Sequence, residues 1–179
     1  MGFKAFDPNV EISGGIVLAF VQCTNRETIL PILERHHMHD VQPEKWYPTQ
    51  DWLDVLTEVV TSGEGMFDLL SIGKRIADLS PLPPTIRTIE EALPFLELSY
   101  GAVHRNGYAG QIAVQRVSEC EYNIDHHTPW PDDLMYGAAY GIAQRYLTDR
   151  SKLHVYSNMN EQVRYPKIDD PHLILNVRW

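Results

Sequence analysis

The sequence predicts an α+β fold in which an N-terminal helical layer packs on a C-terminal antiparallel sheet, ordered helices, then β-β-α-β-β. Three observations carry it. Apolar residues recur at spacings of three and four as far as Val103, the period falls to two beyond Gly107, and one further helical stretch after Pro131 separates a hairpin from two last strands. Helices and strands segregated in this way pack as a helical layer on one face of an antiparallel sheet, whereas strict alternation would indicate a parallel one.

Ser13 is the N-cap expected for a first helix over 14–21, although Gly14 and Gly15 weaken its start by about 1 kcal/mol each relative to alanine. Thr24 or Asn25 opens a second, with Glu27 near its positive end, Pro31 in or near its first turn and Ile29, Ile32 and Leu33 on one stripe. It is expected to end near Asp40. After the turn at Gln42-Pro43, residues 49–60 place Trp52, Leu53, Leu56, Val59 and Val60 on one face, and Ser62-Gly63 stops them. Residues 65–79 carry Met66, Leu69, Leu70, Gly73 and Ile76 at helical spacing before the proline run from Pro81 to Pro84. Thr88 with Glu90 and Glu91 starts a helix through Ile89, Leu93, Leu96, Tyr100 and Val103, kinked at Pro94 and ended by Asn106-Gly107.

Ile112 and Val114 alternate with polar neighbours, as do Cys120, Tyr122 and Ile124 beyond the turn near Ser118-Glu119, which is the pattern of a hairpin. Pro131-Asp132-Asp133 then opens a helix with two carboxylates at its positive end, carrying Leu134, Met135, Ala138, Ile142 and Tyr146. Strands over 153–156 and 173–179 close the order. No repeat, low-complexity tract or linker interrupts residues 1–179, which read as a single ligand-binding-type domain.

The composition, 44% hydrophobic and 22% charged, is that of a chain that folds without a metal or disulfide framework. A net charge of -9 without a dense Lys/Arg cluster opposes phosphate backbones, so nucleic acid is not expected as a partner. The apolar run from Ile16 to Val21 is far too short for a membrane span, and no secretory signal opens the sequence, so the expected location is cytoplasmic. Cys23 and Cys120 lie in no paired motif and read as buried free thiols.

His36 and His39, at i and i+3, can share a metal, yet they fall at a helix C-terminus where polar and cationic side chains are favoured anyway. His126 and His127 are neighbours on a strand, so at most one faces a pocket; the expectation is one ring hydrogen-bonded inside and the other in water. Metal ligation by any of these four stays open. No residue is assigned a catalytic role: there is no G-x-S-x-G elbow, Gly63-Glu64-Gly65 lacks the rest of a phosphate loop, and Asp132-Asp133 and Asp169-Asp170 suit a helix start and a turn.

What stands out is aromatic density, which suits a pocket wall, an interface or a plain core. The stretch His127-Thr128-Pro129-Trp130-Pro131-Asp132-Asp133-Leu134-Met135-Tyr136-Gly137, followed by Gly141-Ile142-Ala143-Gln144-Arg145-Tyr146, resembles the N-P-Y-P-C-D-x-D-Y-G and G-x-A-R-R-F patterns of bacterial domains similar to the 4-vinyl-reductase family. That family belongs to a wider group with heme nitric-oxide-binding domains and vesicle-transport-particle subunits. The likeness extends to Glu11-Ile12-Ser13-Gly14 and Lys45-Trp46-Tyr47-Pro48; Asp132 stands where relatives have cysteine, and of their closing cysteine-bearing segment only the ending 175–179 remains. The tyrosine-serine-arginine signature of the heme-binding branch is absent.

The resemblance implies helices on an antiparallel sheet, a pocket between them for a small apolar or aromatic molecule, and dimerisation. The expected function is a non-catalytic sensory module, probed by Trp46, Tyr47, Tyr100, His104, Trp130, Tyr136 and Tyr140, with His104 supplying a hydrogen bond and the aromatics the walls. No cofactor is specified. The alternatives are a scaffold or dimeric protein-interaction domain in which the same aromatics fill a core and a dimer face, and a metal-dependent enzyme using His126 or His127.

Overall fold

The computed structural model describes residues 2–61, 68–80, 82–157 and 172–179. Ser13, extended at φ -64° and ψ 131°, accepts from the Gly15 amide and starts α1 (Gly14–Gln22); Asn25 does the same for α2 (Arg26–Arg35) through Glu27. α3 (Thr49–Thr61) and α4 (Leu69–Leu79) follow, α4 capped by Asp68 on the Ser71 amide. The expected stop at Ser62-Gly63, the first residues of the helix at 65–79, Pro81 and the Asp169-Asp170 turn lie outside the described residues.

α2 ends sooner than its pattern predicts. His37 is left-handed at φ 57°, the His37 amide donates to the Glu34 carbonyl, and the Met38 amide donates to the Leu33 carbonyl at 2.8 Å. This pair of bonds closes the helix and drops Met38, 3% exposed, into the core. The histidine-rich run is therefore a helix terminus.

Pro94 divides what the spacing predicts as one kinked helix into α5 (Ile89–Ala92) and α6 (Phe95–Ala102). α5 begins in a capping box, with Thr88 accepting from the Glu91 amide while the Glu91 carboxylate accepts from the Thr88 amide. Thr88→Ala is expected to lower stability by about 1 kcal/mol in denaturant unfolding, leaving the slope unchanged.

The first half is not purely helical. β1 (Glu11–Ser13) pairs antiparallel with β2 (Trp46–Pro48) on one side and β3 (His104–Arg105) on the other. The sequence shows no alternation here because segments of two or three residues are too short to display a period.

The second sheet has the order β4-β5-β7-β6, all antiparallel, from β4 (Gln111–Ser118), β5 (Glu121–His127), β6 (His154–Ser157) and β7 (His172–Arg178). Helix α7 (Asp132–Gln144) lies on its inner face, where Ile124, Leu175 and Val177 are fully buried. Both sheet edges are answered by side chains: Glu97 accepts from the Val114 amide on β4, and the Tyr136 hydroxyl donates to the Val155 carbonyl on β6 at 2.5 Å.

Two apolar clusters result, one among α1 to α4 and Ile12, the other between the second sheet, α5 and α7. They meet where α4 crosses α7. There a Cβ on Gly73 would come within 2.3 Å of the Leu134 carbonyl oxygen, and one on Gly137 within 2.2 Å of the Leu70 carbonyl oxygen, so the two backbones are in direct contact. The helical layer thus rests on the sheet largely through α7. Both cysteines are free; Cys120 is exposed in the hairpin turn rather than buried on a strand, and Cys23 is half-buried at the end of α1.

Candidate functional site

At the seam between the two clusters, the last turn of α6 and the start of β3 place Tyr100 and His104 one above the other, with ring centroids 4.5 Å apart. Trp130 comes from the short link between β5 and α7, held between Pro129 and Pro131, and lies 5.7 Å from the His104 ring. The Trp130 indole N–H donates to the Tyr100 hydroxyl at 3.0 Å, and that hydroxyl donates to the Ala109 carbonyl at 2.6 Å. Burial holds the Tyr100 phenol far above its ordinary pKa, so it stays protonated in this relay.

His104 is the chemically distinctive member. Its Nδ1 lies 2.8 Å from the Tyr100 carbonyl oxygen, and because a carbonyl only accepts, Nδ1 carries the proton. Nε2 is left with a lone pair, buried, and without a hydrogen-bond partner among the described residues. Burial lowers the pKa of the ring, with the Tyr100 carbonyl opposing it, which favours the neutral form. The arrangement is that of an imidazole oriented through one nitrogen and presenting the other.

The structure brings together Tyr100, His104 and Trp130, and the other four aromatics elsewhere. Trp46 stands on the opposite face of the small sheet from Ile12, under the Arg105 guanidinium at 4.6 Å, and Arg105 in turn pairs with Glu11. The Tyr47 hydroxyl accepts from the Gln42 amide at 2.8 Å and braces the loop before β2. Tyr136 packs on the second cluster and holds the β6 edge, while Tyr140 carries the Lys74 ammonium 3.9 Å from its ring centroid.

The paired histidines divide between faces as their adjacency requires. His126, 2% exposed, points to the inner face and has neither ring nitrogen bonded among the described residues, contrary to the expected internal hydrogen bond. His127 lies outside, stacked on its cross-strand partner His172 at 4.3 Å and 4°. The Tyr108 hydroxyl lies 3.2 Å from His127 Nδ1 and Asp125 lies 3.1 Å from His172 Nδ1. This outer row escaped sequence reasoning because only the register of β5 on β7 brings it together. His36 pairs with Glu58 at 2.7 Å, His39 is exposed, and no group of three or more His, Cys, Asp or Glu able to hold a metal occurs among the described residues.

Asp132 occupies the first turn of α7. Burial, with Asp133 adding to it, pushes its carboxyl up to about 6 despite the favourable helix terminus.

No family model matches the chain, and no curated protein matches it. Solved structures do. An oxygen-binding H-NOX domain related to soluble guanylate cyclases, in its oxygen complex, superposes with a TM-score of 0.65 at 9% identity, over 93% of this chain and 94% of that one. An H-NOX protein from S. oneidensis in the Fe(II) state gives 0.67 at 11% identity over 93% and 95%, and an unliganded Fe(II) variant from K. algicida gives 0.63 at 13% over 93% and 96%. At such identities the likeness concerns the backbone path: this chain has the fold of the H-NOX domains.

Proposed function

We propose that the chain is a small-molecule-binding sensory module whose ligand, an apolar or aromatic molecule, meets the Tyr100–His104–Trp130 cluster. The observation that carries this reading is the His104 ring, anchored through Nδ1 and, among the described residues, unpaired at a buried Nε2. An unpartnered buried acceptor costs about 1–3 kcal/mol, which a bound donor recovers. The cluster also touches both apolar clusters, so occupancy there is felt by both layers. The 4-vinyl-reductase-like motifs and a fold shared with H-NOX domains support a sensory role, and the reading includes a homodimer, one domain over 1–179, a cytoplasmic location and no nucleic-acid or membrane partner; no helix among the described residues is long and apolar enough to cross a membrane.

A second reading is favoured by the same atom. An imidazole with Nδ1 bonded to a carbonyl and Nε2 unpaired among the described residues has the chemistry of an iron donor, and H-NOX neighbours are described by their heme. His104 would hold that group, which supplies a gas-binding iron centre; Tyr100, through its carbonyl, would fix the imidazole's tautomer, and Trp130 would shield it from water.

Titration with hemin under reducing conditions and with 2-naphthol separates the two. A sharp Soret band lost in His104→Ala supports heme; saturable 2-naphthol binding weakened at least tenfold in Tyr100→Ala or His104→Ala supports the organic ligand. If neither binds and Tyr136→Ala or Tyr140→Ala merely dissociates a dimer, the module is a scaffold instead.

A further inference from the structure

From the inner face of the second sheet, we infer that His126 is a specificity-determining residue of the same ligand site, selecting a planar apolar molecule that carries a neutral hydroxyl; this rests on the reading above.

His126 alternates inward with Tyr122 and Ile124 on β5, between its cross-strand partners Ile112 and Leu173. Its side chain is 2% exposed, and neither Nδ1 nor Nε2 has a partner among the described residues. A fully buried imidazole with both nitrogens unbonded is rare, because desolvation of each group goes uncompensated.

Its level along the fold is that of the cluster. Glu97 of α6 meets the Val114 amide of β4. Two residues back along β4, about 7 Å, is Ile112, the partner of His126; one turn onward along α6, about 6 Å, is Gly101, next to Tyr100. The Tyr100–Ala109 bond, just before β4, confirms that the two elements run past each other in this sense.

The chemistry of the ring selects the ligand. A neutral imidazole offers one donor and one acceptor, and a ligand hydroxyl pairs with either of them, accepting from the N–H or donating to the bare nitrogen. A carboxylate or ammonium would bring an unpaired charge among the buried apolar side chains of the second cluster, Ile124, Leu173 and Leu175 included. His104 Nε2, with a lone pair only, cannot make this distinction alone.

The test compares 2-naphthol with naphthalene by fluorescence titration of the full chain, wild type and His126→Leu, with ¹⁵N-histidine spectra read alongside. The expected result is that wild type prefers 2-naphthol at least tenfold, that His126→Leu loses most of the preference while retaining naphthalene binding, and that the His126 ring nitrogens shift with 2-naphthol alone. An unchanged preference in His126→Leu, or unshifted His126 nitrogens, overturns the inference while leaving the Tyr100–His104–Trp130 site standing; an internal water then satisfies His126. Failure of wild type to bind either probe overturns both. His126→Gln, which keeps a donor and an acceptor, is expected to restore part of the preference, and a variant without rescue while still folded counts against the role.

Discussion

Gly137→Ala is expected to destabilise the protein by about 2–3 kcal/mol, while Gly101→Ala, the same change on another helix, stabilises it by about 0.5–1 kcal/mol. Both glycines lie in helices with negative φ, where alanine is intrinsically preferred by about 1 kcal/mol. What differs is the surroundings. A Cβ at Gly101 meets nothing within 4 Å, whereas one at Gly137 would lie 2.2 Å from the Leu70 carbonyl oxygen and 3.1 Å from the Gly73 Cα. Those atoms are backbone, so the strain relaxes only by moving α4 away from α7, and that separation opens the joint between the two apolar clusters. Urea unfolding of the two variants beside wild type measures both signs. Equal effects would mean that the crossing is looser than the geometry places it.

That crossing also shows where legibility in the sequence ended. Caps located the starts of α1 and α7, and periodicity located α3 and the strands of the second sheet, through patterns of residues such as Trp52, Leu53 and Leu56, or Ile124, Leu173 and Leu175. Gly73, Gly137 and Gly141 sat within those patterns without a visible reason; their reason is a neighbouring backbone, which no local window contains. The small sheet was hidden by its short strands. At the site, Tyr100 was legible on a helical stripe and Trp130 as part of a motif, but Trp46, Tyr47 and Tyr136, drawn in by motif and aromatic character, and Tyr140, by aromatic character alone, lie elsewhere. Each already has a local task, which only the folded partners Arg105, Gln42, Val155 and Lys74 reveal.

Two buried groups give the unliganded protein opposing responses to acid. Burial depresses the His126 pKa from 6.5 to about 4, with Asp125 acting weakly against it, so the unfolded chain takes up a proton that the folded one refuses. Its contribution is complete above pH 6.5 and is lost as pH falls to 4, about 3 kcal/mol in all. Asp132 has the reverse sign: with its carboxyl raised from 3.8 to about 6, the folded state binds the proton more tightly, and stability is gained as pH falls through 6 towards 3.8. The Asp132 carboxyl is partly open to solvent, so its gain offsets the histidine loss incompletely. Wild type is therefore expected to show a shallow decline between pH 6.5 and 4. His126→Leu removes the loss and exposes the gain, becoming more stable than wild type by a margin that widens by about 2 kcal/mol from pH 7.5 to pH 5. Asp132→Asn removes the gain and steepens the decline over the same interval. Urea unfolding at half-unit pH steps reads all three curves; parallel curves would mean that neither group is held in the protonation state its burial dictates, and that water reaches the inner face of the sheet.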